Sequence, residues 1–237
     1  MLGEIMSVDS NAAVTTGGGS GKSEQTRQRI LEAALELFRV KGFAAATMRE
    51  VAVAAGVATG AAYYYFPSKE AIVLAFYDRA GQEMGPLIDS ALLAAGARLE
   101  DLLRAIVTVK LDYFSPNRKF LGALLGSTAD PQNPLSPFSS QTVAIRDFDM
   151  SVFEKAIAGG NVKPPKDLAP HLAQLLWMYQ MALIFFWLSD TSANQERTRA
   201  LLDKSSRMLV QLLKLAGLPL MRPVRRSVLD LVELVKG

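Results

Sequence analysis

The spacing of apolar residues along this chain is helical almost throughout. Between Ile30 and Phe38 the apolar side chains recur at i, i+3, i+4, i+7 and i+8, which places them on one buried face of a helix. The same periodicity returns in longer stretches, at about 68–93, 99–114, 139–158, 167–189, 195–216 and 224–236. No segment alternates with period two for long enough to predict a sheet. The pattern therefore predicts an all-α protein.

Two of the predicted helices are short and are joined by a tight turn. Residues 47–50 (TMRE) form a capping box, in which the Thr47 hydroxyl accepts from the Glu50 amide and the Glu50 carboxylate accepts from the Thr47 amide. This helix ends at 55–57 (AGV), and residues 59–66 predict a further short helix that a proline ends. Short helices joined by a three-residue turn with a glycine are typical of a helix-turn-helix, whose second helix enters the major groove of DNA.

The charge distribution is compatible with DNA binding, and the composition excludes several other chemistries. The formal net charge is only +3, but the segment 22–69 holds seven Lys or Arg against four Glu, which equals the whole net excess. The chain has no cysteine, so disulfides and thiolate metal sites are excluded. Residues 1–23 lack the basic and apolar regions of a signal peptide, so we expect a cytoplasmic protein.

The N-terminal segment resembles the DNA-binding domain of the tetracycline-repressor (TetR) family of one-component bacterial transcriptional regulators. The resemblance covers about residues 24–80, with its motifs in order and at the family's spacing. It rests on 26–38 (TRQRILEAALELF), 41–43 (KGF), Thr47, 50–52 (EVA), 55–57 (AGV), Gly60 and 63–70 (YYYFPSKE). The resemblance implies a repressor that binds a palindromic operator as a homodimer and is released by a small ligand.

The Gly-, Ser- and Thr-rich composition of residues 1–22 and the resemblance together imply the domain organisation. We predict a flexible N-terminal arm at 1–23, a three-helix helix-turn-helix DNA-binding domain at 24–70, and a larger helical ligand-binding and dimerisation domain at 71–237. Helices near 167–189 and 195–216 would form the homodimer interface. The apolar run 172–188 is near the lower limit for a membrane span, and a buried or interface helix is the favoured interpretation.

By the same resemblance, hydroxyls, cations and helix ends of the N-terminal domain would contact operator DNA. Thr47 would hold a phosphate, Tyr63 and Tyr64 would contact phosphates and bases, and Lys69 would add a backbone contact. The complete predicted set is Lys22, Thr26, Thr47, Arg49, Ala58, Thr59, Gly60, Tyr63, Tyr64 and Lys69. Purely structural roles remain open: Thr47 as a cap, Tyr63 as a core aromatic, and Lys69 as a solvated charge.

The predicted recognition helix departs from the family's pattern. Positions 58, 61 and 62 are all alanine, and Thr59 stands where Lys or Arg is frequent in the family. The helix therefore offers few long polar side chains for hydrogen bonds to base edges. Sequence preference would then depend on DNA shape, or on alanine contacts to thymine methyl groups.

The larger domain is rich in aromatic residues and methionine, which predicts a pocket for a mainly apolar or aromatic ligand. The predicted ligand-binding residues are Phe114, Phe120, Phe148, Trp177, Met178, Met181 and Phe185. For any one of these residues a role in the core is the alternative interpretation.

Catalysis and nucleotide binding are not expected. Residues 16–23 (TGGGSGKS) approach a phosphate-binding loop, but its first required glycine is Thr16 and no strand precedes it. His171 is the only histidine, so no hydrolytic triad or metal cluster is predicted, and neither is a cofactor. The alternative function is a helical protein that binds hydrophobic molecules or a protein partner and carries a degenerate helix-turn-helix.

Overall fold

The computed structural model describes residues 18–128, 130 and 132–236, and this part of the chain is helical without strands. The all-α prediction is confirmed. The helices are α1 (Gly18–Lys41), α2 (Met48–Ala55), α3 (Thr59–Tyr65), α4 (Lys69–Ala95), α5 (Leu99–Phe114), α6 (Arg118–Thr128), α7 (Val143–Gly159), α8 (Ala169–Ser189), α9 (Glu196–Ala216) and α10 (Arg222–Lys236). Short 3-10 turns at Ser115–Asn117, Ser140–Thr142, Ala193–Gln195 and Pro219–Met221 join some of them.

Two elements differ from the sequence prediction. Helix α1 begins at Gly18, so the last residues of the predicted arm 1–23 are helical, while residues 1–17 lie outside the described part. Near its start, the Thr26 hydroxyl donates to the Lys22 carbonyl at 2.9 Å. Helix α6 had no counterpart in the periodicity because it is short and contains glycines, which lower helix propensity. Its packing against α1 and α8 stabilises it instead.

The N-terminal core is built by α1 to α3 together with the start of α4. Apolar side chains from each of these helices meet there, among them Phe38, Val51, Ala62 and Phe76, all buried. Phe120 of α6 joins the same cluster, although it lies far along the chain. The helix-turn-helix is therefore completed by a helix from the larger domain.

The second core surrounds α5, which packs against α4, α7 and α9. Buried residues such as Ile106, Phe153, Trp177 and Val210 form it. The 27-residue helix α4 joins the two cores, since Phe76 lies in the first and Met84 lies in the second. A displacement of α4 would therefore change contacts in both cores.

Within the described residues, α8 alone is long and apolar enough to cross a membrane by length and composition. Core helices of soluble proteins pass the same test. One face of α8 is buried against its own domain, including Leu176, Trp177 and Gln180. This packing agrees with the interpretation of 172–188 as a core or interface helix.

Candidate nucleic-acid interface and ligand cavity

The capping box predicted at the start of α2 is present. Glu50 N donates to Thr47 Oγ1 at 3.3 Å, and Thr47 N donates to a Glu50 carboxylate oxygen at 3.0 Å. The Glu50 carboxylate also pairs with Lys41, and this hydrogen bond, followed by those from Thr47, lowers the pKa of Glu50. Thr47 therefore caps the helix, and its side chain stays exposed at the helix N-terminus, where a phosphate can reach it.

The turn between α2 and α3 depends on Gly56. Its backbone is left-handed, with φ 64° and ψ 38°, a conformation that costs a residue with a Cβ atom about 1–2 kcal/mol. Val57 N donates to the Ala52 carbonyl at 3.0 Å, which closes the turn, and the Val57 side chain packs against the N-terminal core. The geometry is the tight turn that a helix-turn-helix requires.

Helix α3 presents a continuous exposed face. Ala58, Thr59 and Gly60 are exposed at its start, and the Tyr64 side chain is 82% exposed. Tyr63 is also exposed, so it lies outside the buried core. The opposite face is apolar and is anchored by the fully buried Ala62. Every predicted base-contacting residue of α3 thus lies on one accessible surface.

Lys69 has a defined structural role at the start of α4. Its ammonium donates to the Phe43 carbonyl at 2.6 Å and to the Ala44 carbonyl at 3.3 Å, and it lies 4.7 Å from the centroid of the Phe43 ring. Lys69 is therefore not a solvated charge, because it ties α4 to the turn between α1 and α2. Its contact with DNA phosphate stays a prediction, and an ammonium has a third proton available for it.

The other predicted cations of this surface remain accessible. Lys22 and Arg49 are both exposed, and neither forms an ion pair with another residue in the part of the chain that the structure describes. Thr26 is half-buried, and its hydroxyl is used within α1 by the bond to the Lys22 carbonyl. Lys22, Arg49 and the exposed face of α3 thus offer accessible positive charge and hydroxyl groups, which suit phosphate oxygens.

A cavity of about 140 Å³ lies in the larger domain, between α5, α6, α7 and α8. Three of the predicted ligand-binding residues line it: Phe114, Trp177 and Met181. Phe148 lines an adjoining cleft that shares Tyr77, Lys110 and Phe114 with the cavity. The walls are mainly apolar, as the sequence predicts.

Three other predicted ligand-binding residues lie away from this cavity. Phe120 is buried in the N-terminal core, Met178 packs in the second core, and Phe185 is exposed on the surface of α8. The cause is helical phase: Leu121 and Ile184 line the cavity, and successive residues of a helix point about 100° apart. Which of two neighbouring apolar residues faces the cavity depends on how the helices pack.

A buried polar group at the cavity wall was missed by the sequence analysis. The Lys110 side chain is only 2% exposed and pairs with Asp149, whose second oxygen accepts from Gln180 Nε2 at 2.7 Å. Burial lowers the pKa of Lys110, while the Asp149 charge opposes the shift. The signal was present in the sequence, because Lys110 lies on the apolar stripe of α5 that Leu103 and Ile106 define.

Comparisons with known proteins agree with this architecture. The chain matches the family model described as "Bacterial regulatory proteins, tetR family" over residues 30–76. It matches a second model, "Tetracyclin repressor-like, C-terminal domain", over residues 102–234, which is more than half of the chain.

Individual relatives and a solved structure give the same result. YdgC, an HTH-type transcriptional regulator of Bacillus subtilis, is 34% identical over 186 residues, which cover 65% of this chain and 92% of YdgC. YerO of the same organism is 30% identical over 110 residues; the match covers 46% of this chain and only 38% of YerO. A TetR transcriptional regulator from Nitrosomonas europaea superposes with a TM-score of 0.61 at 21% identity, over 77% of this chain and 96% of the other, which supports the fold.

A helix-turn-helix with an accessible recognition face, joined by one long helix to a helical domain with a cavity, defines a DNA-binding transcriptional regulator. The two family models identify it further: this chain belongs to the TetR family. Regulators of this family bind operator DNA, typically dimerise, and are normally not enzymes.

Proposed function

We propose that this protein is a dimeric repressor that binds a palindromic operator and is released when a small, mainly apolar ligand occupies the cavity of the larger domain. The observation that carries the proposal is the position of α6. This helix contributes Phe120 to the core of the helix-turn-helix and Leu121 to the wall of the cavity. We place the regulator in the cytoplasm, with the DNA that it binds.

In the proposed complex α3 lies in the major groove. Ala58, Thr59 and Gly60 then approach base edges, and the hydroxyls of Tyr63 and Tyr64 reach phosphates. With so few long polar side chains on α3, base discrimination would depend on methyl contacts and on DNA shape. Thr47 and Arg49 at the start of α2 would contact the flanking backbone, aided by the positive end of the helix dipole.

The proposed dimer interface is the outer face of α8 and α9. Both helices expose large apolar side chains there, including Phe185, Phe186, Met208 and Leu212. Apolar patches of this kind on a helix that is otherwise packed are typical of protein interfaces. A two-fold dimer would place its two recognition helices on successive major grooves, about 34 Å apart.

Two helices can transmit ligand binding to the DNA-binding domain. On α4, Phe76 lies in the N-terminal core and the next residue, Tyr77, lines the cavity. Next to α6, Arg39 Nε of α1 donates to Asn117 Oδ1 at 2.9 Å. A ligand that displaces Leu121 would shift Phe120 and thereby favour an orientation of the helix-turn-helix with low operator affinity.

DNA selection from a random duplex library, followed by a salt titration on the enriched site, tests the proposed function. We expect a two-fold symmetric site. The logarithm of the affinity should fall linearly with the logarithm of the salt concentration, with a slope of about −0.9 per phosphate neutralised. Tyr64→Ala should weaken binding to this site, and Leu93→Ala, equally exposed on α4, serves as the matched control. Failure to enrich any site would favour the alternative, a protein that binds hydrophobic molecules and has a degenerate helix-turn-helix.

A further inference from the structure

One arginine on the cavity wall has no acidic partner. Arg146 of α7 is half-buried, and its Nη1 donates to the Pro137 carbonyl at 2.7 Å. Its guanidinium lies 5.8 Å from the centroid of the Trp177 ring. Among the described residues no carboxylate lies within 4.0 Å of it, and it forms no second hydrogen bond. Most N–H groups of this guanidinium are therefore available to a ligand.

The second cation of the cavity, Lys110, is already neutralised. Asp149 accepts from Lys110 through one oxygen and from Gln180 through the other, so its negative charge is paired with the Lys110 ammonium. Asp149 is one turn from Arg146 on α7, yet the two side chains do not form an ion pair. The charged side chains of the cavity wall are Lys110, Arg146 and Asp149, which leaves one positive charge without a partner.

The rest of the wall is mainly apolar. Phe114, Trp177 and Trp187 contribute aromatic surface, and the volume of about 140 Å³ is close to that of cavities that hold a benzene ring. A cation beside such a surface can form a strong hydrogen bond with an anion, because charge-assisted hydrogen bonds are stronger where water is excluded.

We propose that the cavity binds a small organic carboxylate, with its apolar body between Phe114 and Trp177 and its carboxylate paired with the Arg146 guanidinium. This inference rests on the proposed function and names the chemical class of its ligand. Two further groups can bind a polar substituent. The Tyr77 hydroxyl, on the cavity wall, has no hydrogen-bond partner among the described residues. Gln180 Oε1, on the wall of the adjoining cleft, is buried without one. Burial raises the pKa of Tyr77 to about 12, so its hydroxyl remains a donor.

The adjoining cleft differs in charge from the cavity, so the sign of the ligand's charge shows which of the two it occupies. Asp78 and Asp89 lie on its wall, where Asp89 pairs with Lys155 at 3.0 Å and Asp78 accepts from Gln82 at 3.1 Å. This cleft would therefore favour a ligand with a positive charge. A ligand seated in the enclosed cavity beside Arg146 should be an anion.

Isosteric probes on the full-length protein test the proposal. Binding of 3-phenylpropionate is compared by titration calorimetry with 3-phenylpropan-1-ol and 3-phenylpropylamine, and hexanoate with hexanol and hexylamine. We expect each acid to bind at least about tenfold more tightly than its alcohol, as a charge-assisted bond predicts, and the amines to bind most weakly. Arg146→Gln should remove this preference, and Arg146→Lys should retain part of it. Lys119→Gln makes the same charge change on an exposed position of α6 outside the cavity and should leave the preference unchanged.

The comparison on the wild-type protein keeps the test independent of whether the variants fold. Each of four results would overturn the proposal: alcohols that bind as tightly as the acids, amines that bind best, acids of both skeletons that fail to bind at millimolar concentration, or an acid preference that survives Arg146→Gln.

Operator affinity is then measured with each bound probe. An acid that binds through Arg146 without changing operator affinity supports the ligand class and contradicts ligand-controlled release. An alcohol that binds better than its acid and releases DNA contradicts the ligand class and supports ligand-controlled release.

Discussion

The rings of Phe38 and Phe120 stack with their centroids 5.4 Å apart and an angle of 26° between their planes. Phe43 completes the cluster through a T-shaped contact with Phe38, at a centroid distance of 5.2 Å. Phe38 belongs to α1 and Phe120 to α6, so this contact joins the DNA-binding domain to the helix whose Leu121 lines the cavity. The two domains therefore share one packed aromatic cluster and are not connected by the chain alone.

Removal of the Phe120 ring should destabilise the protein strongly. We expect Phe120→Ala to lower the free energy of unfolding by about 3–5 kcal/mol, because the ring is buried and its loss leaves a void beside Phe38. Urea denaturation measures the change. Leu93→Ala, at a position 86% exposed, should change stability by less than about 0.5 kcal/mol. A cost below about 1 kcal/mol for Phe120→Ala would mean that the cluster repacks and does not couple the domains.

Lys69 should act both within the protein and on DNA. We expect Lys69→Met to lower the melting temperature, because the Phe43 and Ala44 carbonyls lose their donor. It should also weaken operator binding and reduce the salt slope by about 0.9, the value for one phosphate contact. Salt titrations of wild type, Lys69→Met and the control Lys119→Gln measure this. An unchanged slope would restrict Lys69 to its structural role.

The turn before α9 should lose stability at acid pH. The Thr198 hydroxyl donates to Asp190 at 2.7 Å, and with Ser192 it holds the pKa of this carboxyl well below its usual range. Because the folded-state pKa is depressed below the unfolded value of about 3.9, this stabilisation is present above about pH 4 and is lost as the pH falls further.

Asp190→Asn should therefore lower the melting temperature at pH 7 and flatten its decline between about pH 4 and pH 2. Scanning calorimetry across this range provides the measurement, with Asp147→Asn at an exposed position as the control. Parallel pH profiles for wild type and Asp190→Asn would show that this carboxylate contributes nothing to acid sensitivity.

A charge on the outer face of α9 should dissociate the proposed dimer. Met208 and Leu212 are 56% and 55% exposed in the single chain, and burial of a glutamate at either position would be costly. We expect Leu212→Glu to yield a helical monomer with weak operator affinity, as measured by light scattering and DNA titration. Leu93→Glu on α4 should remain dimeric. A Leu212→Glu protein that is still dimeric would place the interface elsewhere.

The aromatic residues of the larger domain show how far sequence patterns extend. Of the residues predicted to bind a ligand, Phe114, Trp177 and Met181 line the cavity, but Phe120 lies in the other core and Phe185 lies on the surface. Composition indicates that such a domain has an apolar interior. It does not indicate which helix covers each face, because that depends on contacts between residues far apart in the chain.

The sequence by itself determined the helix-turn-helix. The capping bonds between Thr47 and Glu50 and the left-handed turn at Gly56 join residues within a few positions of each other, so local pattern is sufficient. Only the tertiary structure decided the chemistry of the cavity. Lys110 and Asp149 lie on different helices and pair with each other, whereas Arg146 has no acidic partner among the described residues. That arrangement exists only once α5, α7 and α8 have packed together.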